Sequence, residues 1–452
     1  MADRRPPGPY SRMDVEPGHA APFYVLPFDK GGRCEAPRTR EHLVAAMQSA
    51  GCTDLFLFSH GWNTVWKDAI RNYEAFVDGF VRTIQAYPLP LGRAYRPLLV
   101  GVFWPSATLV LPWEAGPQLA GRPQGDPELD GDAFDIERRE LRDLAAAISD
   151  ENVDRFYELT QPDGTLDERQ ARDLAGIFAP LTANIGDEMG EEPAPLDPRA
   201  IIEVWRTSAQ VGASSGSGDW GVVDGASVSA GPEAAGGAVF APRALIRCAT
   251  VWQMKDRAGV VGARGVGPLL RTLVAANPRA RLHLVGHSYG AKVVLSAIAS
   301  GALQRPVNSL LLLQPAVNQY CFAAKVPRTS RTGGYHRVLC RVEQPILTTY
   351  SPHDRPLTRF FHLALRRDSD LGEPALAPWP TPPNDFAALG GYGPGGVGPE
   401  CRRIPLNPPG TRYALGADSP ELYALDGTQA IGGHSDISNP SIWWALYSQL
   451  IG

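Results

Sequence analysis

Two hydrophobic rhythms alternate along this chain. Leu55-Phe56-Leu57-Phe58 is a short unbroken apolar run that ends at Ser59-His60-Gly61, the pattern of a strand covered on both faces of a parallel sheet. Behind it Val65, Ala69, Tyr73, Phe76, Phe80 and Ile84 recur at helical spacing, which predicts a helix over 64–84 with Asn63 or Thr64 capping its free amides. A second strand is expected at 98–103, ended by Trp104-Pro105.

The same alternation returns in the last two-fifths of the sequence. Helix 269–276, strand 281–285, helix 291–299 and strand 310–313 are followed by strand 345–350, a Pro/Gly-rich loop at about 371–410, strand 422–425 and a last helix over 440–450. Asn439 and Pro440 stand where that helix should start, a cap followed by a first-turn proline. This order predicts an α/β protein, a mostly parallel central sheet with helices on both faces. The stretch between is different: segments 134–148, 168–181 and 198–209 read as amphipathic helices without a convincing strand, and 208–237 is rich in Gly, Ser and Ala. The expected organisation is a loose tail at 1–20, core at 21–105, an inserted helical cap at 106–241 and core again at 242–452.

Composition narrows the function classes. With 44% hydrophobic and 20% charged residues in 452 the chain is of ordinary globular make-up. A formal net charge of −5 and no Lys/Arg block argue against nucleic acid as a partner. Six scattered cysteines without a Cys-x-x-Cys pair give no disulfide framework or structural zinc site, and fit a reducing compartment. Arg4-Arg5 is followed by no apolar stretch, and the run over 98–113 is broken by Pro105 and Pro112. No signal peptide or transmembrane helix is therefore expected, and the location expected is cytoplasmic.

Chemistry concentrates at Gly286-His287-Ser288-Tyr289-Gly290. In a Gly-x-Ser-x-Gly turn between strand and helix, the serine sits in strained backbone that pushes its hydroxyl into the cleft, and the flanking glycines let strand and helix approach. Gly212-Ala213-Ser214-Ser215-Gly216 fits the same spacing but lacks the apolar strand before and the helix after. Ser288 is the expected nucleophile. A hydroxyl needs a base, and His434, in Gly432-Gly433-His434-Ser435-Asp436 between the last strand and the last helix, has the right chain order. Asp354, just past strand 345–350, is the expected orienting carboxylate; Asp436, Glu343 and Asp426 are its rivals. The backbone amides of Tyr289 and Trp62 are the expected oxyanion donors, the latter in Ser59-His60-Gly61-Trp62-Asn63 after the first strand.

The set HGWN, GHSYG, an Asp after a late strand and a His before the last helix resembles the bacterial lipase/esterase-like branch of the α/β-hydrolase superfamily, over about 50–105 and 255–450. The resemblance implies an α/β-hydrolase fold in which the 106–241 segment is a lid. It also implies a serine hydrolase that cleaves a small-molecule or lipid carboxylic ester through an acyl-enzyme without metal or organic cofactor. Acyl transfer, amide or peptide hydrolysis, and a non-catalytic binding protein on the same fold are the alternatives.

Three further patterns are read as structural. His283 and His287 are four apart but on a strand and its turn, which does not make a helical zinc pair. The glycine spacing of 262–267 is wrong for a dinucleotide loop. Trp443 and Trp444 are expected to pack.

Overall fold

The four apolar residues of the first predicted run divide between two layers. In a computed structural model, strand β3 (Asp54–Ser59) is buried along its whole length. Leu55 and Leu57 join one hydrophobic cluster, and Phe56 and Phe58 the other. That division follows from the two-residue period of a strand, whose successive side chains leave opposite faces. The structure describes residues 6–16, 19–49, 51–90, 95–107, 148–160, 166–179, 198–199, 201–202, 242, 246, 251–361, 385–416 and 418–452. The predicted helix over 134–148 except its last residue, most of that over 198–209, the Gly/Ser-rich stretch 208–237 and the second Gly-x-Ser-x-Gly match lie outside these residues.

The architecture is α/β. A nine-stranded sheet runs in the order β1-β2-β4-β3-β5-β6-β7-β9-β8, with β1 Ser11–Glu16, β2 His19–Pro27, β4 Pro97–Phe103, β5 Arg281–His287, β6 Ser309–Leu313, β7 Ile346–Tyr350, β8 Cys401–Pro405 and β9 Leu422–Asp426. All neighbouring pairs are parallel except β1 with β2. Helices α1 (Pro37–Gln48) and α2 (Trp66–Ala86) flank β3 in sequence. Fragments of the predicted cap are helical, α3 over Asp150–Leu159 and α4 over Glu168–Phe178. Helix α5 (Val251–Val260) passes through a π-helical turn, Val261–Val266, into α6 (Gly267–Ala276). Helices α7 (Tyr289–Ala299) and α8 (Pro440–Ile451) complete the two layers. Among the described residues no helix is long and apolar enough to cross a membrane.

Several expectations need correction. The tail read at 1–20 holds β1, which pairs antiparallel with β2 at the edge of the sheet. Its alternation of Arg12, Asp14 and Glu16 with buried Met13 and Val15 is a strand pattern that the Pro/Arg-rich opening obscured. The loop read at about 371–410 contains a helical turn, Leu389–Tyr392, and β8. Helix α2 starts at Trp66, two residues late, with neither Asn63 nor Thr64 capping it. Asn63 has left-handed φ of 53°, and its N–H donates to the carbonyl of Ser106 at 2.9 Å. The glycines of 262–267 serve helix packing: a Cβ on Gly262 would stand 2.3 Å from the carbonyl oxygen of Val293 in α7, and one on Gly267 2.4 Å from Ser300 Oγ.

The strand order places chemistry. From β3 the chain moves to β4 on one side and later returns through β5 on the other, so the loops after β3 and β5 leave the sheet at a topological switch point, where α/β sheets open a crevice. Ser59 pairs with Gly286 in the ladder. The next residues of the two strands are the two motifs singled out in the sequence.

Candidate active site

Ser288 links β5 to α7 with φ 55° and ψ −124°. Its N–H donates to the Leu313 carbonyl at 3.0 Å, while its own carbonyl accepts from Ala291 and Ala316, each at 3.1 Å. These bonds hold a conformation that a non-glycine residue adopts only when its surroundings compel it. The flanking glycines are dictated by contact. A Cβ on Gly286 would meet the Ala291 Cα at 2.7 Å, and one on Gly290 the Ser59 carbonyl oxygen at 2.1 Å.

From this turn three side chains meet in series. Ser288 Oγ lies 2.9 Å from His434 Nε2, and His434 Nδ1 lies 2.7 Å from Asp354 Oδ2. A carboxylate only accepts, so Nδ1 carries the proton and Nε2 is left to accept the serine hydroxyl hydrogen. All three residues are buried, Asp354 completely. The other Asp354 oxygen accepts from the Leu357 N–H at 3.0 Å, in the turn that opens Pro356–Phe360. The rivals are engaged elsewhere: Asp436 accepts from the Gly432 N–H at 2.9 Å, Asp426 from the Thr428 N–H at 2.9 Å, and Glu343 from the Asn308 amide at 2.5 Å.

The loop after β3 lies against the serine. A Cβ on Gly61 would stand 2.7 Å from the Ser288 Cβ and 3.2 Å from its Oγ, so only glycine fits. His60 shapes this loop, a role that sequence reading missed. Its Nδ1–H donates to the Gly61 carbonyl at 2.9 Å, and its Nε2 accepts the Trp104 N–H at 3.3 Å. The Trp104 indole N–H returns to the His60 carbonyl at 3.1 Å, with the two rings stacked 3° from parallel. Because a trans peptide is planar, tying the Gly61 carbonyl to the imidazole turns the Trp62 N–H to the other side. Burial lowers the His60 pKa to about 4, so the ring is neutral and its two nitrogens keep these opposite roles. Tyr289, the other expected donor, is the first residue of α7, where amides lack helical acceptors and the helix end is positive.

Two more residues touch the histidine loop: Gln314, which the sequence did not single out, and His287, which it read as structural. The Gln314 side-chain amide donates to the Gly433 and His434 carbonyls at 2.9 and 3.1 Å, and His287 Nε2–H donates to the same His434 carbonyl at 2.8 Å. Burial first, and then the charge of the neighbouring His434, lower the His287 pKa to about 3. His283, by contrast, is buried among Phe56, Ser309 and Asp54 at the other end of β5. Trp444 is buried and its indole N–H donates to the Thr411 carbonyl at 2.7 Å, and Trp443 lies against Gly79. Among the described residues no group of three His, Cys, Asp or Glu side chains is placed to hold a metal.

Comparison with known proteins leaves this geometry to stand alone: no protein-family model, no curated protein and no solved structure matches the chain.

Proposed function

We propose that this chain is a serine hydrolase that cleaves a carboxylic ester through an acyl-enzyme, on a core of the α/β-hydrolase kind that its motifs resemble. The observation that carries the reading is the unbroken series from Asp354 through His434 to Ser288, with contacts of 2.7 and 2.9 Å, assembled from the ends of three different strands.

In this reading Ser288 Oγ attacks the ester carbonyl carbon while its proton passes to His434 Nε2. Asp354 holds the tautomer and stabilises the imidazolium. The Trp62 and Tyr289 amides receive the oxyanion of the tetrahedral intermediate. Collapse breaks the bond to the leaving alkoxide, which takes the proton from Nε2. Water, deprotonated by the same imidazole, then releases the acid and restores the serine. The substrate is a small-molecule or lipid ester, and the setting a reducing cytoplasm.

A tagged fluorophosphonate tests the reading, because it reacts only with an activated serine. Wild-type protein labels and Ser288→Ala does not. A well-folded wild type that resists the probe would show a binding protein on a hydrolase core instead. A panel of p-nitrophenyl esters of graded chain length, run beside phospholipid and peptide substrates, separates esterase from lipase and amidase.

A further inference from the structure

The general base of a hydrolase must be held to within a fraction of an ångström, yet His434 follows Gly432-Gly433, a pair with little stiffness of its own. Its ring is tied at Nδ1 to Asp354. Its main chain is tied by two donors that converge on one carbonyl oxygen, from His287 at the end of β5 and Gln314 just after β6. A carbonyl cannot donate, so His287 must carry its single proton on Nε2, and its ring lies beside that of His434 with centroids 4.9 Å apart.

Gln314 has left-handed φ of 38°, an unfavourable setting for a side chain with a Cβ. The surroundings hold it there. Its N–H donates to Thr349 Oγ1 at 2.9 Å, and Gly390 packs so closely that a Cβ on it would stand 2.4 Å from the Gln314 carbonyl carbon. Strain maintained in a fully buried residue, whose amide then spans two consecutive carbonyls of the histidine loop, points to a working part rather than filler.

We propose that Gln314 and His287 are positioning residues of the hydrolase inferred above, clamping the main chain of His434 so that Nε2 stays in reach of Ser288. This rests on that reading of the site. The pair does not touch substrate. It sets the aim of the group that does, leaving the imidazole no freedom to follow its glycines.

Labelling kinetics with the same fluorophosphonate test it, read as a maximal rate and a half-saturating probe concentration, with a melting curve for each variant. Gln314→Met and His287→Phe lower the maximal rate by about 10- to 100-fold, the scale of a misplaced catalytic group, without moving the half-saturating concentration. Gln314→Glu keeps the shape but faces two carbonyls with an acceptor, and falls at least as far. His287→Gln, which can again present a donor, recovers about tenfold over His287→Phe. Folded variants that label at the wild-type rate would overturn the clamp. So would losses that follow the melting temperature, with His287→Gln no better than His287→Phe. Failure of the hydrolase reading is a different result, a wild type that the probe does not label.

Discussion

Gly290 and Ser59 meet main chain to main chain: a Cβ on the glycine would stand 2.1 Å from the serine's carbonyl oxygen. Helix α7 thus starts in contact with the end of β3, and this contact sets how closely the Ser288 turn approaches the loop bearing Gly61 and Trp62. Gly290→Ala forces the two apart. It should lower stability by about 1–3 kcal/mol, the cost of overpacking, and abolish fluorophosphonate labelling. Gly432→Ala is the contrast, since its Cβ would meet only Asp436 Oδ2, at 3.7 Å. Urea unfolding should place that variant within about 0.5 kcal/mol of wild type.

The carboxylate assignment separates two aspartates near one histidine, of which one bonds its ring and the other its loop. Asp354 bonds the ring nitrogen, whereas Asp436 accepts from the Gly432 amide and braces the loop. Asp354→Asn should reduce the rate of ester hydrolysis by on the order of 10⁴-fold, because an amide can present a donor where an acceptor is needed and so favours the wrong tautomer. His434→Ala should lose at least as much. Asp436→Ala should cost less than about tenfold, the loop keeping its other bonds. The assignment fails if Asp436→Ala is the crippling change and Asp354→Asn is harmless.

Acid should weaken the fold through the ring that shapes the loop after β3. His60 ionises near pH 4 in the folded protein, against 6.5 for the free group. Between these values the unfolded chain takes up a proton that the folded one refuses. Stability is therefore full above about pH 6.5 and declines as the pH falls toward 4, by up to about 1.4 kcal/mol per unit. His60→Asn can keep a donor toward the Gly61 carbonyl but cannot titrate. Urea midpoints at pH 7 and 4.5 should show the wild type losing about 2–3 kcal/mol more than this variant. Equal losses would show that His60 is protonated in both states.

What could be read from sequence follows the strength of the local signal. The runs at Leu55–Phe58 and Leu310–Leu313 have no polar residue to confuse the period, and the strands lie there. Ser288, Asp354 and His434 each follow a strand expected from sequence, and the structure brings the three side chains into contact. Strand β1 alternates charged and apolar residues over only six positions after a proline-rich opening, so its period is too short to stand out. Gln314 and His60 could not be recognised as contacts. Their partners, Gly433 and Trp104, are distant in sequence, and no spacing rule links them. A hint was available at His60, which belongs to the same motif as Gly61, but its bond to Trp104 depends on the β3–β4 pairing.

The ladder between Ser59 and Gly286 has a mechanical meaning. Both halves of the proposed site grow from one rung of one parallel pair, so the spacing between the Ser288 hydroxyl and the loop that would receive the oxyanion is a lattice constant of the sheet. Neither half can drift from the other unless the central strands unzip.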